Sequence, residues 1–130
     1  MYTIEKEPYG FKLTFGGFIK AEEMMAWVGE SKRALVSTPK DFGVFVDMRT
    51  LKPLPAETQT HMEDGQKLYK EKGMTRSVVI LSSATTKMQF KRIAQETGIY
   101  EWERYIDASA VPEWEKIGID WISEGIDPDK

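Results

Sequence analysis

The chain has 130 residues, of which 41% are hydrophobic and 30% charged, proportions typical of one folded domain with a hydrophobic core. Its 18 basic and 21 acidic residues give a net charge of −3, which excludes the strongly basic surface typical of nucleic-acid-binding proteins. Disulfides, thiolate zinc sites and cysteine nucleophiles are excluded because there is no cysteine, and no apolar run approaches the roughly 20 residues that span a bilayer. We therefore expect a cytoplasmic protein without stable membrane insertion.

The N-terminal third predicts a β-hairpin followed by a helix. Residues 2–6 alternate with period 2, Pro8-Tyr9-Gly10 has turn chemistry, and residues 11–15 carry a period-2 apolar face. The helix is predicted from an apolar stripe that ends before Pro39 and consists of Ala21, Met24, Met25, Val28 and Leu35.

The middle of the chain predicts two buried strands on either side of a more polar helix. Residues 42–48 form a nearly continuous apolar run, which is typical of a strand covered on both faces. We expect the helix to begin around Pro55, which suits a first helical turn, and to stop at Gly73. Residues 77–82 are dominated by β-branched side chains and predict the second strand.

The C-terminal third predicts two helices with a short strand between them. Thr86 and Gln89 have the spacing of a capping box, and Gly98 is placed to end the first of these helices. Residues 104–106 predict the strand, and we expect residues 127–130 to form a frayed tail. The last helix carries an apolar face made of Trp114, Ile117, Trp121 and Ile122.

This order of elements, β-β-α-β-α-β-α-β-α, predicts an α/β fold whose mixed, mostly parallel sheet has helices packed on it. Strands separated by helices pair in parallel through right-handed crossovers, whereas the hairpin adds an antiparallel strand at one edge. We expect residues 1–126 to form a single domain, because the chain has no internal repeat, low-complexity stretch or linker.

The order of elements, with Phe45-Val46-Asp47-Met48-Arg49 ending a central strand, resembles the SpoIIAA-like or STAS-type domain family. The likeness extends from Tyr2 to Ile122 and includes residues 76–82, residues 104–107 and the Trp-bearing last helix. It implies a SpoIIAA-like fold and a small cytoplasmic regulatory module that recognises a protein partner. A second branch of the superfamily resembles the lipid-binding Sec14 domains, which implies a ligand held beside the sheet as the alternative.

The resemblance also bears on phosphorylation. In the anti-sigma-factor antagonists of this family, a Ser two residues after the strand-end Asp is phosphorylated by the partner kinase. Arg49 occupies that position here, two residues after Asp47, and arginine cannot accept a phosphoryl group in that chemistry. We therefore expect a module without the usual phosphorylatable Ser, in which Thr50 is the neighbouring hydroxyl.

Two strand-to-helix junctions are candidate binding sites. In open α/β sheets, ligands bind at the carboxyl ends of strands, where helix N-termini favour anions. The junctions are Asp47-Met48-Arg49-Thr50 and Ser82-Ser83-Ala84-Thr85-Thr86. The cation of the first and the hydroxyls of the second predict a cradle for a phosphate or carboxylate. In the alternative interpretation, residues 82–86 merely cap a helix and Asp47 hydrogen-bonds its own turn.

The methionines and tryptophans also allow two interpretations. Helical spacing predicts that five of them are mostly core residues, namely Met24, Met25, Met88, Trp114 and Trp121. Alternatively, such side chains form a flexible apolar pocket or partner surface, because methionine repacks around varied shapes.

Three functions follow from these features. The first is a non-enzymatic interaction module that uses the second helix and residues 47–50. The second is a domain for a small anionic or lipid-like ligand, with an apolar cavity on the order of several hundred Å³. The third, an enzyme that uses Glu57, His61 and Arg49, ranks last because no nucleophile–base pattern is present. The sequence predicts no cofactor, no metal site and no nucleic-acid partner. It leaves open whether the chain forms a homodimer.

Overall fold

The structure, a computed structural model, describes all 130 residues and contains one five-stranded sheet. The strands are β1 (Tyr2–Glu7), β2 (Gly10–Gly17), β3 (Phe42–Leu51), β4 (Met74–Leu81) and β5 (Glu103–Asp107). The helices are α1 (Ala21–Ala34), α2 (Ala56–Lys72), α3 (Ala84–Thr97) and α4 (Trp114–Glu124), and a 3-10 turn at Tyr100–Trp102 precedes β5. The predicted α/β class and element order are confirmed.

The sheet has its strands in chain order, β1-β2-β3-β4-β5. β1 pairs antiparallel with β2, and the other three pairs are parallel, as predicted. The difference follows from the connections, since two residues suffice for a hairpin whereas each parallel pair is joined by a helix. Gly10 ends the hairpin turn at a φ of 145°, where an added Cβ would lie 2.1 Å from the Gly43 carbonyl oxygen. Only glycine allows this close approach of the two backbones.

The helices form two layers, one on each face of the sheet. Helices α1, α2 and α3 cover one face and share with it a core cluster of 22 buried residues. Helix α4 covers the other face, mainly over β3 and β4, with a separate cluster of six buried residues. Val44 and Val46 of β3 belong to the first cluster and Phe45 to the second. This double burial explains why β3 reads as a continuous apolar run.

Several predicted boundaries are confirmed and others are wrong. Gly73 and Gly98 end α2 and α3 in the left-handed conformation, as predicted. The capping box at Thr86 is wrong, because Ser83 is the N-cap of α3 and its hydroxyl accepts from the Thr86 amide. Pro55 is likewise the N-cap of α2 rather than a residue of its first turn.

The C-terminal residues are held against the sheet where the sequence predicts a frayed tail. Arg104 of β5 donates two hydrogen bonds to the carboxylate of Asp127, at 2.9 and 3.0 Å. The guanidinium of Arg104 also lies 4.3 Å from the centre of the Trp121 ring. Bidentate pairing of this kind fixes geometry as well as charge. None of the four helices is long and apolar enough to cross a membrane.

Candidate functional site

The two candidate junctions lie side by side at the carboxyl edge of the sheet. Asp47 of β3 pairs with Ile80 of β4, and Ser82 follows directly after β4 ends. β3 then continues to Leu51, paired with β2 alone. Residues 48–50 are therefore part of β3, whereas the sequence predicts a strand-to-helix junction there. The common edge predicted for the two junctions is nevertheless present.

The Arg49 guanidinium is paired with the Asp47 carboxylate. Its Nε and Nη2 donate to the two carboxylate oxygens of Asp47 at 3.0 and 2.9 Å, and its backbone N–H donates to Oδ1 at 3.1 Å. Burial opposes ionisation of Asp47, but the hydrogen bonds from Arg49 outweigh it and lower the pKa of the carboxyl. The cation of the predicted anion cradle is therefore paired within the strand, and an external anion would have to share it with Asp47.

Trp114 of α4 covers the face of this ion pair. The guanidinium carbon of Arg49 lies 4.2 Å from the centre of the Trp114 ring, which is a cation–π contact. The Arg49 side chain is still 45% exposed, so one edge of the guanidinium faces solvent. The Trp114 ring and the Asp47-paired guanidinium of Arg49 thus stack on each other at this edge.

The other predicted site residues separate into exposed and buried groups. Thr50, Ser82 and Thr85 are exposed at the edge. Met48 is 3% exposed and belongs to the core under α1–α3, and Thr86 is fully buried, so neither side chain lies on the open surface of the edge. Ser83 serves as the helix cap, which confirms the structural interpretation of this residue.

An amide clamp that the sequence did not reveal fixes this edge. The side chain of Gln89 accepts from the Leu54 N–H at 2.8 Å and donates to the Leu54 carbonyl at 3.1 Å. Gln59 donates to the same carbonyl at 2.9 Å. The loop between β3 and α2 is thereby bound to α3. Sequence spacing assigned Gln89 to a capping box, so its real partner was missed.

Four of the seven exposed large hydrophobic residues belong to segments that begin or end at the same edge. Met1 is placed near the end of β2 because its ammonium group donates a hydrogen bond to the Gly16 carbonyl, and Phe18 comes directly after β2. Met25 and Met88 lie in the second turns of α1 and α3, and they are 54% and 73% exposed. The prediction that both methionines are core residues is wrong, whereas Met24 and Trp121 are buried as predicted.

A small cavity lies inside the layer between the sheet and α1–α3. Its volume is about 30 Å³, and 12 of its 15 lining residues are hydrophobic. This volume holds one or two water molecules and is far below the roughly 300 Å³ of a small ligand pocket. The cavity of several hundred Å³ that the lipid-binding alternative requires is therefore not formed in this conformation.

One wall of this cavity carries a buried carboxyl group, Glu103 of β5. It accepts hydrogen bonds from the hydroxyls of Ser77 and Tyr105, at 2.8 and 2.6 Å. Burial raises the pKa of Glu103 to about 7, although the two hydrogen bonds act in the opposite direction. The alternating pattern of a strand gave no signal for a buried acid at this position.

The side chains of the enzyme hypothesis are not brought together. His61 lies on α2, under the first face of the sheet, whereas Arg49 contacts α4 on the opposite face. The carboxylate nearest to the His61 ring is that of Asp64, with Nδ1 and Oδ2 3.9 Å apart, and not that of Glu57. No nucleophile–base pair is assembled from the predicted residues.

Comparison with known proteins gives no relative, because no family model, curated protein or solved structure matches the chain. The residues of the site themselves therefore carry the functional argument.

Proposed function

We propose that this protein is a non-enzymatic regulatory module of the STAS or SpoIIAA-like type, which binds a protein partner at the carboxyl edge of its sheet. The observation that carries the proposal is the exposure of Met1, Phe18, Met25 and Met88, all of which belong to segments that begin or end at that edge. Exposed apolar side chains are ordinary when scattered, but a concentration on one side of a small domain is typical of an interaction site.

The chemistry of these side chains favours a protein as the partner. Methionine adapts its shape to different apolar surfaces, and phenylalanine supplies a large area for burial. Polar and charged groups belong to the same edge, among them Thr50, Ser82 and the paired Arg49. An apolar centre with a polar rim is the usual anatomy of a protein interface.

The rigidity of the edge supports the same function. The Gln89 clamp holds the loop after β3, and the contact with Trp114 holds Arg49. A surface that is ordered before binding loses less conformational entropy when the partner arrives. We include the first turn of α2 in the surface, because this helix begins at the same edge.

A double variant, Phe18→Ser with Met88→Ser, tests the proposal. A protein captured in stoichiometric amount from the source organism would be purified, and its Kd for the wild type and the variant measured by calorimetry. Burial of a large apolar side chain contributes about 1.5–3 kcal/mol, so the double variant should bind at least about tenfold more weakly. Its melting temperature should stay near the wild-type value, because both side chains are exposed.

Val36→Ser is the matched control. Val36 is 79% exposed and follows the C-terminus of α1, at the opposite end of that helix. This variant should bind the partner as the wild type does. Equal affinity of the double variant and the wild type, or an equal loss in the control, would contradict the proposed surface.

A further inference from the structure

A second concave site lies at the amino edge of the parallel strands, away from the surface proposed for the partner. It is a groove of about 400 Å³ between the β1–β2 turn, the first residues of β3 and β4, and the end of α4. Only two of its eight lining residues are hydrophobic. The volume is within the range of roughly 300–1,000 Å³ that small-molecule sites occupy, and the polar lining suits a polar ligand.

Arg76 of β4 supplies the positive charge of this groove. It forms no ion pair with any carboxylate, and its Nε–H is buried without an acceptor. Its one protein hydrogen bond is a long one, from Nη2 to the Ile122 carbonyl at 3.4 Å. A partly buried guanidinium with so few acceptors retains hydrogen-bonding capacity for an external carboxylate.

Two neighbours, Trp121 and Gly125, border this guanidinium. It lies 5.7 Å from the centre of the Trp121 ring, which is itself held by a hydrogen bond from Nε1 to the Ser77 carbonyl at 2.9 Å. At Gly125, a Cβ atom would come within 2.8 Å of Nη1 of Arg76. The glycine therefore leaves room for the guanidinium at the wall of the groove.

Asp41 supplies the negative charge of the same groove. It is the one non-glycine residue with a positive φ, 66°, and its N–H donates to the Gly73 carbonyl at 3.0 Å. Its exposed carboxylate forms no ion pair, with Arg76 or with any other residue.

We propose that this groove binds a small zwitterion of the α-amino-acid class, with its carboxylate on Arg76 and its ammonium group on Asp41. A simple anion would be repelled by Asp41, and a simple cation by Arg76. A molecule that carries both charges satisfies both side chains, and the hydroxyls of Thr75 and Ser123 lie in the same lining. The N-terminal and C-terminal groups of a short peptide offer the same chemistry as a free amino acid.

Amide chemical shifts of the ¹⁵N-labelled chain test this site directly. The common α-amino acids and a series of dipeptides would be titrated to millimolar concentration, with N-acetylated and C-amidated amino acids as blocked probes. We expect a free amino acid or a dipeptide to shift the amides of Gly43, Thr75 and Ser123, and the blocked probes to shift none of them. Which of the two unblocked classes binds identifies the source of the zwitterion.

Two variants and one control complete the test. Arg76→Gln and Asp41→Asn should each weaken binding by about 10-fold to 100-fold, which is the loss of one charged hydrogen bond. Asn tolerates a positive φ, so Asp41→Asn retains the backbone. The control is Arg33→Gln. Arg33 is exposed on α1, outside the groove, so this variant should bind the amino acid or dipeptide as the wild type does.

Three results would overturn the inference. They are unshifted groove amides at millimolar amino acid and dipeptide, equal shifts from the blocked probes, and undiminished affinity in Asp41→Asn. The partner experiment at the carboxyl edge is unaffected by any of them, because the two sites share no residue.

Discussion

Glu103 illustrates how strongly a neighbourhood changes the chemistry of one residue. Only 4% of its surface is exposed, and its two hydrogen-bond donors are neutral hydroxyls. An ionised carboxylate in such a place loses its hydration without gaining a cation, so the protonated form is favoured. The pKa of Asp47 is lowered instead, because the hydrogen bonds from Arg49 outweigh the effect of its burial.

The pKa of Glu103 predicts a loss of stability as the pH rises. In the unfolded chain Glu103 releases its proton near pH 4.5, whereas the folded protein holds the proton up to about pH 7. The free energy of unfolding therefore falls between pH 4.5 and pH 7 and is constant above it, as far as this group is concerned. At about 1.4 kcal/mol for each pH unit, the loss amounts to about 3 kcal/mol.

Urea denaturation at pH 5 and pH 8 measures this effect. The Glu103→Gln variant keeps a neutral side chain of the same shape, so its free energy of unfolding should change much less between the two pH values. Other titrating groups contribute equally to both proteins, which makes the difference specific to Glu103. Identical pH dependence in the variant and the wild type would contradict a protonated Glu103.

Helices α1 and α2 show how packing depends on one small residue. Trp27 of α1 is 2% exposed and stacks on Tyr69 of α2, with ring centres 5.6 Å apart. Gly65 of α2 lies against the edge of the same indole, where an added Cβ would be 1.9 Å from Cζ3. The two helices can approach this closely only because position 65 has no side chain.

Gly65→Ala should therefore destabilise the protein, although alanine favours a helix. The methyl group would have to displace Trp27 from a packed core, which costs about 1–3 kcal/mol or more. Gly29→Ala is the control, because nothing lies within 4 Å of the position of its Cβ. That change should stabilise α1 by about 0.5–1 kcal/mol. Thermal unfolding should show a lower melting temperature for Gly65→Ala and a higher one for Gly29→Ala. A Gly65→Ala protein as stable as the wild type would contradict the close packing of Gly65 against Trp27.

The whole molecule has a large core on one face of the sheet and a small one on the other. β3 and β4 are buried by both, whereas α4 depends on a cluster of six residues. β1 pairs with one neighbour only, at the edge of the sheet. Regions with fewer buried contacts open at lower free energy than the central strands.

Native-state hydrogen exchange should show this gradient. We expect the amides of Val46 and Val79, in the central strands, to exchange only through global unfolding. The amides of α4 and β1 should exchange earlier, through partial opening that leaves the larger core intact. Equal protection of α4 and β4 across a denaturant series would show instead that the two cores unfold as one unit.

The sequence predicted the sheet and helices well because their signals are local. Period-2 and helical apolar patterns reflect which face of an element is buried, and Gly73 and Gly98 mark helix ends by their own backbone freedom. Predictions failed where two local signals competed. Thr86 and Ser83 are both acceptable caps, and Met25 and Met88 sit at helical spacings compatible with either burial or exposure.

The amino-acid sequence by itself determined the element order, the single sheet and the common edge of the two junctions, since these follow from apolar periodicity and chain connection. The tertiary structure alone decided that Arg49 is paired, that Glu103 is buried beside a cavity, and that Asp41 and Arg76 face one groove. The reason is physical: charge and hydration depend on distances across elements, and those distances exist only after the two layers have packed on the sheet.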